Sequence, residues 1–114
     1  MRGVGGPQEL PIEVVRGRRW VMEFERLDEN GVAVTIAGAT IVAQARNAPG
    51  GALLWAFTVT TIVAASGTFR IEASATDTAV SDTEGVWELT IADSGSTAQS
   101  YAIGPVMIRP GVVA

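Results

Sequence analysis

Leu27–Arg46 reads LDENGVAVTIAGATIVAQAR, and the way this stretch divides decides the fold. Its head, Asp28-Glu29-Asn30-Gly31, puts Asp, Asn and Gly where a tight turn needs them. Short polar side chains bond the local backbone there, and glycine accepts a positive φ. Its tail alternates, with Ile41, Ala43 and Ala45 on one side and Val42, Gln44 and Arg46 on the other. A row of period two is a strand half sunk in a core. Between head and tail, Val32, Val34 and Ile36 predict a short return segment that Gly38 breaks. The charges at Asp28 and Glu29 therefore belong to a turn, and the β-branched run beyond them is sheet.

The same period extends outward in both directions. Upstream, Trp20, Met22 and Phe24 alternate with Val21, Glu23 and Glu25. Downstream, NAPGG (47–51) is a dense turn signal, and Leu53, Trp55, Phe57 and Val59 share one face. AASG (64–67) turns the chain again, after which Phe69, Ile71 and Ala73 alternate with Arg70, Glu72 and Ser74. Thr76–Gly85 has no period and reads as a connection with room for one helical turn. Trp87, Leu89 and Ile91 form the next inward row, and DSGST (93–97) turns into a last strand from Gln99 to Arg109. Gly104-Pro105 interrupts that strand; proline cannot donate to a ladder, so an edge position or a bulge is predicted. Seven or eight short antiparallel strands, with turn signals every ~8–12 residues, describe an all-β sandwich. Its predicted core is Trp20, Phe24, Phe57, Phe69, Ile71, Trp87, Leu89 and Ile91.

The chain of 114 residues suits one domain, with an extended arm at 1–11, the sandwich at 12–109 and a tail at 110–114. Both ends are poor in large apolar side chains, so neighbouring subunits are expected to order them. The first residues, MRGVGGPQELP, lack the apolar segment of a signal peptide. Ala48–Phe69 carries no charge and is long enough to span a bilayer, but its Thr and Val content and flanking Arg46 and Arg70 favour buried strands. An uncharged, β-prone run at an open edge invites aggregation, so it is expected to lie centrally in a sheet or under another chain.

Chemistry is scarce. All eight basic residues are arginines, and there is no Lys, His or Cys. This excludes Ser-His-Asp, Cys-His and Ser-Lys catalysis, thiolate zinc sites and disulfides. Two converging carboxylates could still hydrolyse a glycoside, but the acidic residues fall in turns or on outward strand positions. Asp77, Asp82 and Glu84 share a loop whose oxygens could hold calcium, without EF-hand spacing. No enzyme activity, cofactor or metal is expected. Arg16, Arg18 and Arg19 beside Trp20 could touch phosphates, yet a net charge of -4 argues against nucleic acid and anionic membranes. Arginine also favours protein interfaces, so Arg16, Arg18, Arg19 and Arg109 are the expected contacts to an acidic partner surface. The tryptophans read as core; Trp55 is the ring to turn outward in a carbohydrate-binding sandwich, the alternative function.

The order of elements resembles a family of small tailed-bacteriophage virion modules. These are the immunoglobulin-like N-terminal domains of baseplate upper and tail-fibre-attachment proteins. The likeness spans residues 12–111 and is carried by the Asp/Asn-Gly turn, Gly38-Ala39-Thr40, Gly67 with Phe69, and Thr76–Ala79. Gly85, Trp87 and Ile91, and then Ile108-Arg109-Pro110, complete it. The better-known members continue into a long fibre region that these residues do not include. The resemblance implies an immunoglobulin-like fold and a structural role in the virion, among other virion proteins. The location would be tail tip, baseplate, fibre base or capsid decoration.

Overall fold

The computed structural model describes residues 2–111. Nine strands occur among them: β1 (Arg2–Val4), β2 (Ile12–Val15), β3 (Trp20–Arg26), β4 (Thr40–Arg46), β5 (Leu53–Ala56), β6 (Thr58–Val63), β7 (Thr68–Ala73), β8 (Glu84–Ala92) and β9 (Gln99–Arg109). A 3₁₀ turn, Ala64–Ser66, joins β6 to β7. The strands form two sheets, in the orders β1-β3-β7-β6 and β2-β9-β8-β4-β5. The two sheets enclose one hydrophobic core, so the fold is an all-β, immunoglobulin-like sandwich.

The inward rows are those the alternation predicts. Phe24, Phe57, Phe69, Ile71, Trp87, Leu89 and Ile91 are buried, while Trp20 is half-buried and packs on the rim. Aromatic rings tie the layers together. Phe24 stacks on Phe69 at 5.5 Å and meets Trp87 at 6.4 Å, and Phe57 touches Trp20, Trp55 and Trp87 at 5.4–5.9 Å. Each such pair contributes about 0.5–1.5 kcal/mol beyond its area. The DENG turn also forms as expected. Asp28 Oδ1 accepts from the Asn30 and Val32 amides, and Gly31 takes φ +79°.

Several expectations change. The uncharged run forms two strands, as expected, but neither is central in its sheet. β5 ends at Ala56 in the five-stranded sheet, Phe57 links it to β6 in the other, and the run so supplies an edge of each. Leu53, expected on the inner face, is 48% exposed. The Val32–Ile36 segment makes only a bridge between Leu27 and Ala33, although Ile36 is buried. The helical turn expected within Thr76–Gly85 starts earlier, at Ser74, whose carbonyl accepts from the Thr78 amide at 3.1 Å, and β8 begins at Glu84.

The largest correction concerns the N-terminal arm, which packs on its own domain. β1 pairs in parallel with β3, β2 pairs in parallel with β9, and Val4 and Leu10 are buried. Two parallel pairings thus join an otherwise antiparallel sandwich. The same packing explains Gly104-Pro105, since β9 is a central strand between β2 and β8. The Leu10 amide donates to the Ile103 carbonyl and the Ile103 amide to the Gln8 carbonyl. In a parallel ladder the next donor to the Leu10 carbonyl would be residue 105, and proline has no N–H. The indole Nε1 of buried Trp87 donates to it instead, at 2.7 Å. Gly104 permits the approach, because a Cβ there would lie 2.6 Å from the Leu10 oxygen. The one bulge in the β8–β9 pairing falls at Leu89/Thr90, away from the proline. Of the expected tail, Pro110 and Gly111 are exposed and residues 112–114 lie outside the described residues.

Trp87→Phe should therefore lower stability by about 2–4 kcal/mol, from lost volume and an orphaned Leu10 carbonyl. Deleting residues 1–10 should lower it by about 5 kcal/mol or more, since it exposes core covered by Val4 and Leu10 and leaves the Trp87 N–H unpaired. Urea titration checks both. A truncated chain that unfolds at the full chain's midpoint would contradict the account.

Candidate functional site

The four arginines expected at a partner surface gather at one end of the sandwich. Arg16, Arg18 and Arg19 occupy the β2–β3 loop, and the Arg16 amide donates to the carbonyl of Arg109 at the end of β9. Much of their hydrogen-bonding capacity serves the chain itself. Arg16 Nε donates to the Val80 carbonyl at 2.7 Å and Nη2 to that of Asp82 at 3.0 Å, clamping the β7–β8 connection. Arg19 pairs with Glu72 at 2.5 Å and Arg109 with Glu13 at 2.6 Å, both on the surface. Exposed pairs of this kind stabilise little. The Arg18 side chain is exposed, while its carbonyl accepts from the hydroxyl of fully buried Thr78.

A fifth arginine is not singled out by the sequence pattern. Arg26 falls on the inward parity of β3, after Trp20, Met22 and Phe24, and is 7% exposed. Its guanidinium forks onto both oxygens of Asp93 at 2.8 and 2.9 Å, and Nη2 also donates to the Tyr101 hydroxyl at 2.9 Å. The charge lies 5.3 Å from the Tyr101 ring centroid. This group pins β3 of one sheet to the β8–β9 turn of the other, at the end of the sandwich opposite the arginine loop. Bidentate pairing is the strong form of the interaction, and it leaves neither charge available for chemistry.

The carboxylates have structural roles of a similar kind. Asp77 Oδ2 accepts from the Ser74 amide and the Ser74 hydroxyl accepts from the Asp77 amide, closing the helical turn. Among the described residues no three acidic groups gather closely enough to hold a metal ion, so Asp77, Asp82 and Glu84 are not brought together. Hydrogen bonds from arginine hold the Glu72 and Asp93 carboxyls below their ordinary values. A general acid working near neutrality needs the opposite shift. Trp55 and Trp87 are 3% and 1% exposed, so neither can serve as a stacking platform.

What remains available is surface. The outer face of the four-stranded sheet is charged and cross-paired, as in the Arg70–Glu23 contact at 3.2 Å. The outer face of the five-stranded sheet is different. Val42, Val86, Ile103 and Pro105 line a shallow trough of about 520 Å³, with Arg46 and Glu88 also at its surface. Exposed Met107 continues the apolar strip, at 49%. Beside these faces run the β5 and β6 edges, in a stretch with no charged side chain. Neither surface could be located from sequence alone, because alternation separates inside from outside but does not order the strands.

No family model matches this chain, and no curated protein matches it. Among solved structures it is similar to the crystal structure of the Lin-41 filamin domain. The two share 20% identity over 87% of this chain and 84% of that one, with a TM-score of 0.49.

The Arg26–Asp93 pair makes a pH dependence testable. Asp93 has a lowered pKa in the fold because Arg26 hydrogen-bonds its charged form. Its contribution is thus complete above the unfolded value of about 4 and is lost as pH falls through the folded value. The thermal midpoint should fall on acidification below about pH 4. Asp93→Asn should be less stable than the native chain at pH 7 and should lose less on acidification. Parallel calorimetric pH profiles for the two proteins would contradict this role.

Proposed function

We propose that this chain is a non-enzymatic structural component of a tailed-phage virion. It acts as an assembly and attachment module at the tail tip, baseplate or fibre base, or as a capsid decoration protein, bound to other virion structural proteins. The observation that carries the reading is how the side chains are used. The residues that could do chemistry, Arg16, Arg26, Asp77 and Asp93, hold loops and sheets in place. The open surface offers an apolar trough and uncharged strand edges, which suit binding to other protein surfaces.

The residues behind the phage resemblance fit this use, since they build the fold. Gly38 turns the chain before β4 with φ +73°, and the Thr76–Ala79 corner is closed by the Ala79 amide on the Thr76 carbonyl. Gly85 lets the Arg46 carbonyl approach, because a Cβ there would collide with that oxygen. A carbohydrate-binding module would display aromatic rings on a sheet face, and the burial of Trp55 and Trp87 favours the assembly reading over it.

Mass spectrometry of purified particles from the phage that encodes the chain tests the proposal. Peptides from this protein should be present at a fixed copy number relative to the major structural proteins, and should survive washing at high salt. Their absence from intact particles would overturn it.

A further inference from the structure

We infer that two copies of this chain join through β6, edge to edge and antiparallel, about a two-fold axis. The sandwich has four edge strands, β1, β6, β2 and β5, and only β6 is longer than four residues. Among the described residues, β6 pairs on one side only, with β7. Every second residue of an edge strand turns its N–H and C=O away from the sheet, ready to accept another strand. Five of the six residues from Thr58 to Val63 are exposed, and all six are β-branched.

Most of the devices that normally protect an edge are missing from β6. It has no charged residue and no proline. Two of the other edges are better guarded: β1 is three residues long and contains Arg2, and β2 contains Glu13 paired to Arg109. The third, β5, is uncharged but only four residues long, with a register shift in its pairing to β4. The only guard on β6 is the register shift between Thr61 and Val63. A bulge twists that end away from a partner, which confines pairing to Thr58–Thr61.

Charge favours a second copy as the occupant. Two-fold pairing sets a strand against itself, so a charge near the axis would face its own kind, and β6 has none. The nearest charges on this sheet are Arg70 and Glu72, one strand inward on β7 and opposite Thr60 and Thr58. In the paired assembly each would sit three strand spacings from the β7 strand of the other copy, roughly 14 Å. That exceeds the Debye length of about 8 Å at physiological ionic strength. Both side chains are also neutralised within the chain, Arg70 by Glu23 and Glu72 by Arg19. Two molecules of net charge -4 can therefore meet along this line without local repulsion, and Thr–Thr and Thr–Val pairs across it are favourable. The inference depends on the edge alone and holds whether or not the chain belongs to a virion.

Sedimentation velocity of the purified chain, from low to high micromolar concentration, should show a monomer–dimer equilibrium. Thr60→Lys places like charges across the two-fold and should weaken dimerisation at least tenfold, while the thermal midpoint of the domain stays close to that of the native chain. The sequence has no cysteine, so Thr58→Cys, Thr60→Cys and Thr61→Cys each provide a unique probe. Oxidation should give a disulfide-linked dimer from at least one of them. A native chain that stays monomeric at hundreds of micromolar would overturn the inference. So would a dimer unaffected by Thr60→Lys, or one that no cysteine in β6 can cross-link.

Discussion

One buried hydrogen bond organises this molecule: the indole N–H of Trp87 donating to the backbone carbonyl of Leu10. A central strand containing proline is ordinarily excluded, because the proline leaves a gap in the ladder. Here the gap at Pro105 is used. The acceptor that Pro105 cannot serve is taken by a tryptophan of the neighbouring strand, and Gly104 removes the side chain that would block it. A buried carbonyl without a partner destabilises a fold by about 1–3 kcal/mol. Removing any one of the three residues therefore removes the condition that the other two satisfy.

The rest of the architecture is built on that anchor. With Leu10 fixed on β9, the preceding segment crosses to the other sheet, adds β1 beside β3, and buries Val4. The N-terminal segment thus provides both edges on one side of the sandwich, in short strands carrying charge. The opposite side is formed by β5 and β6, joined through Phe57 and without any charged residue. Arginine contacts hold the two ends. Arg16 clamps the β7–β8 connection at one, and Arg26 joins the sheets through Asp93 and Tyr101 at the other. This asymmetry, one guarded side and one open side, is the basis for reading the chain as an assembly module.

The core was legible in the sequence because a strand's alternation is local. Phe69, Ile71, Trp87, Leu89 and Ile91 could be placed inside without knowing which strand lay next to which. Three features were not legible, for physical reasons. Leu53–Val59 keeps its period while the chain changes sheets at Phe57, and period does not identify the sheet. Arg26 continues an apolar row despite its charge; partners 67 and 75 residues away, Asp93 and Tyr101, make its burial tolerable. In the arm, Val4 and Leu10 are isolated among Gly, Pro and polar residues, and the parallel pairings that bury them connect distant parts of the chain. The candidate surfaces share this limitation, since whether a strand lies at an edge is decided by topology. Arg16, Arg18 and Arg19 are adjacent in sequence, but their approach to Arg109 is set by the β2–β9 pairing, and much of what these arginines bind belongs to their own chain.

Hydrogen exchange of two backbone amides tests the central claim most directly. The Leu10 amide donates to Ile103 and the Ile103 amide to Gln8, so both report whether the N-terminal segment is part of the folded domain. The account predicts that both exchange only by opening as costly as that of the β8 core, with protection close to that of the Leu89 amide. Exchange of the Leu10 amide at the rate of an unstructured peptide, while Leu89 remained protected, would contradict it.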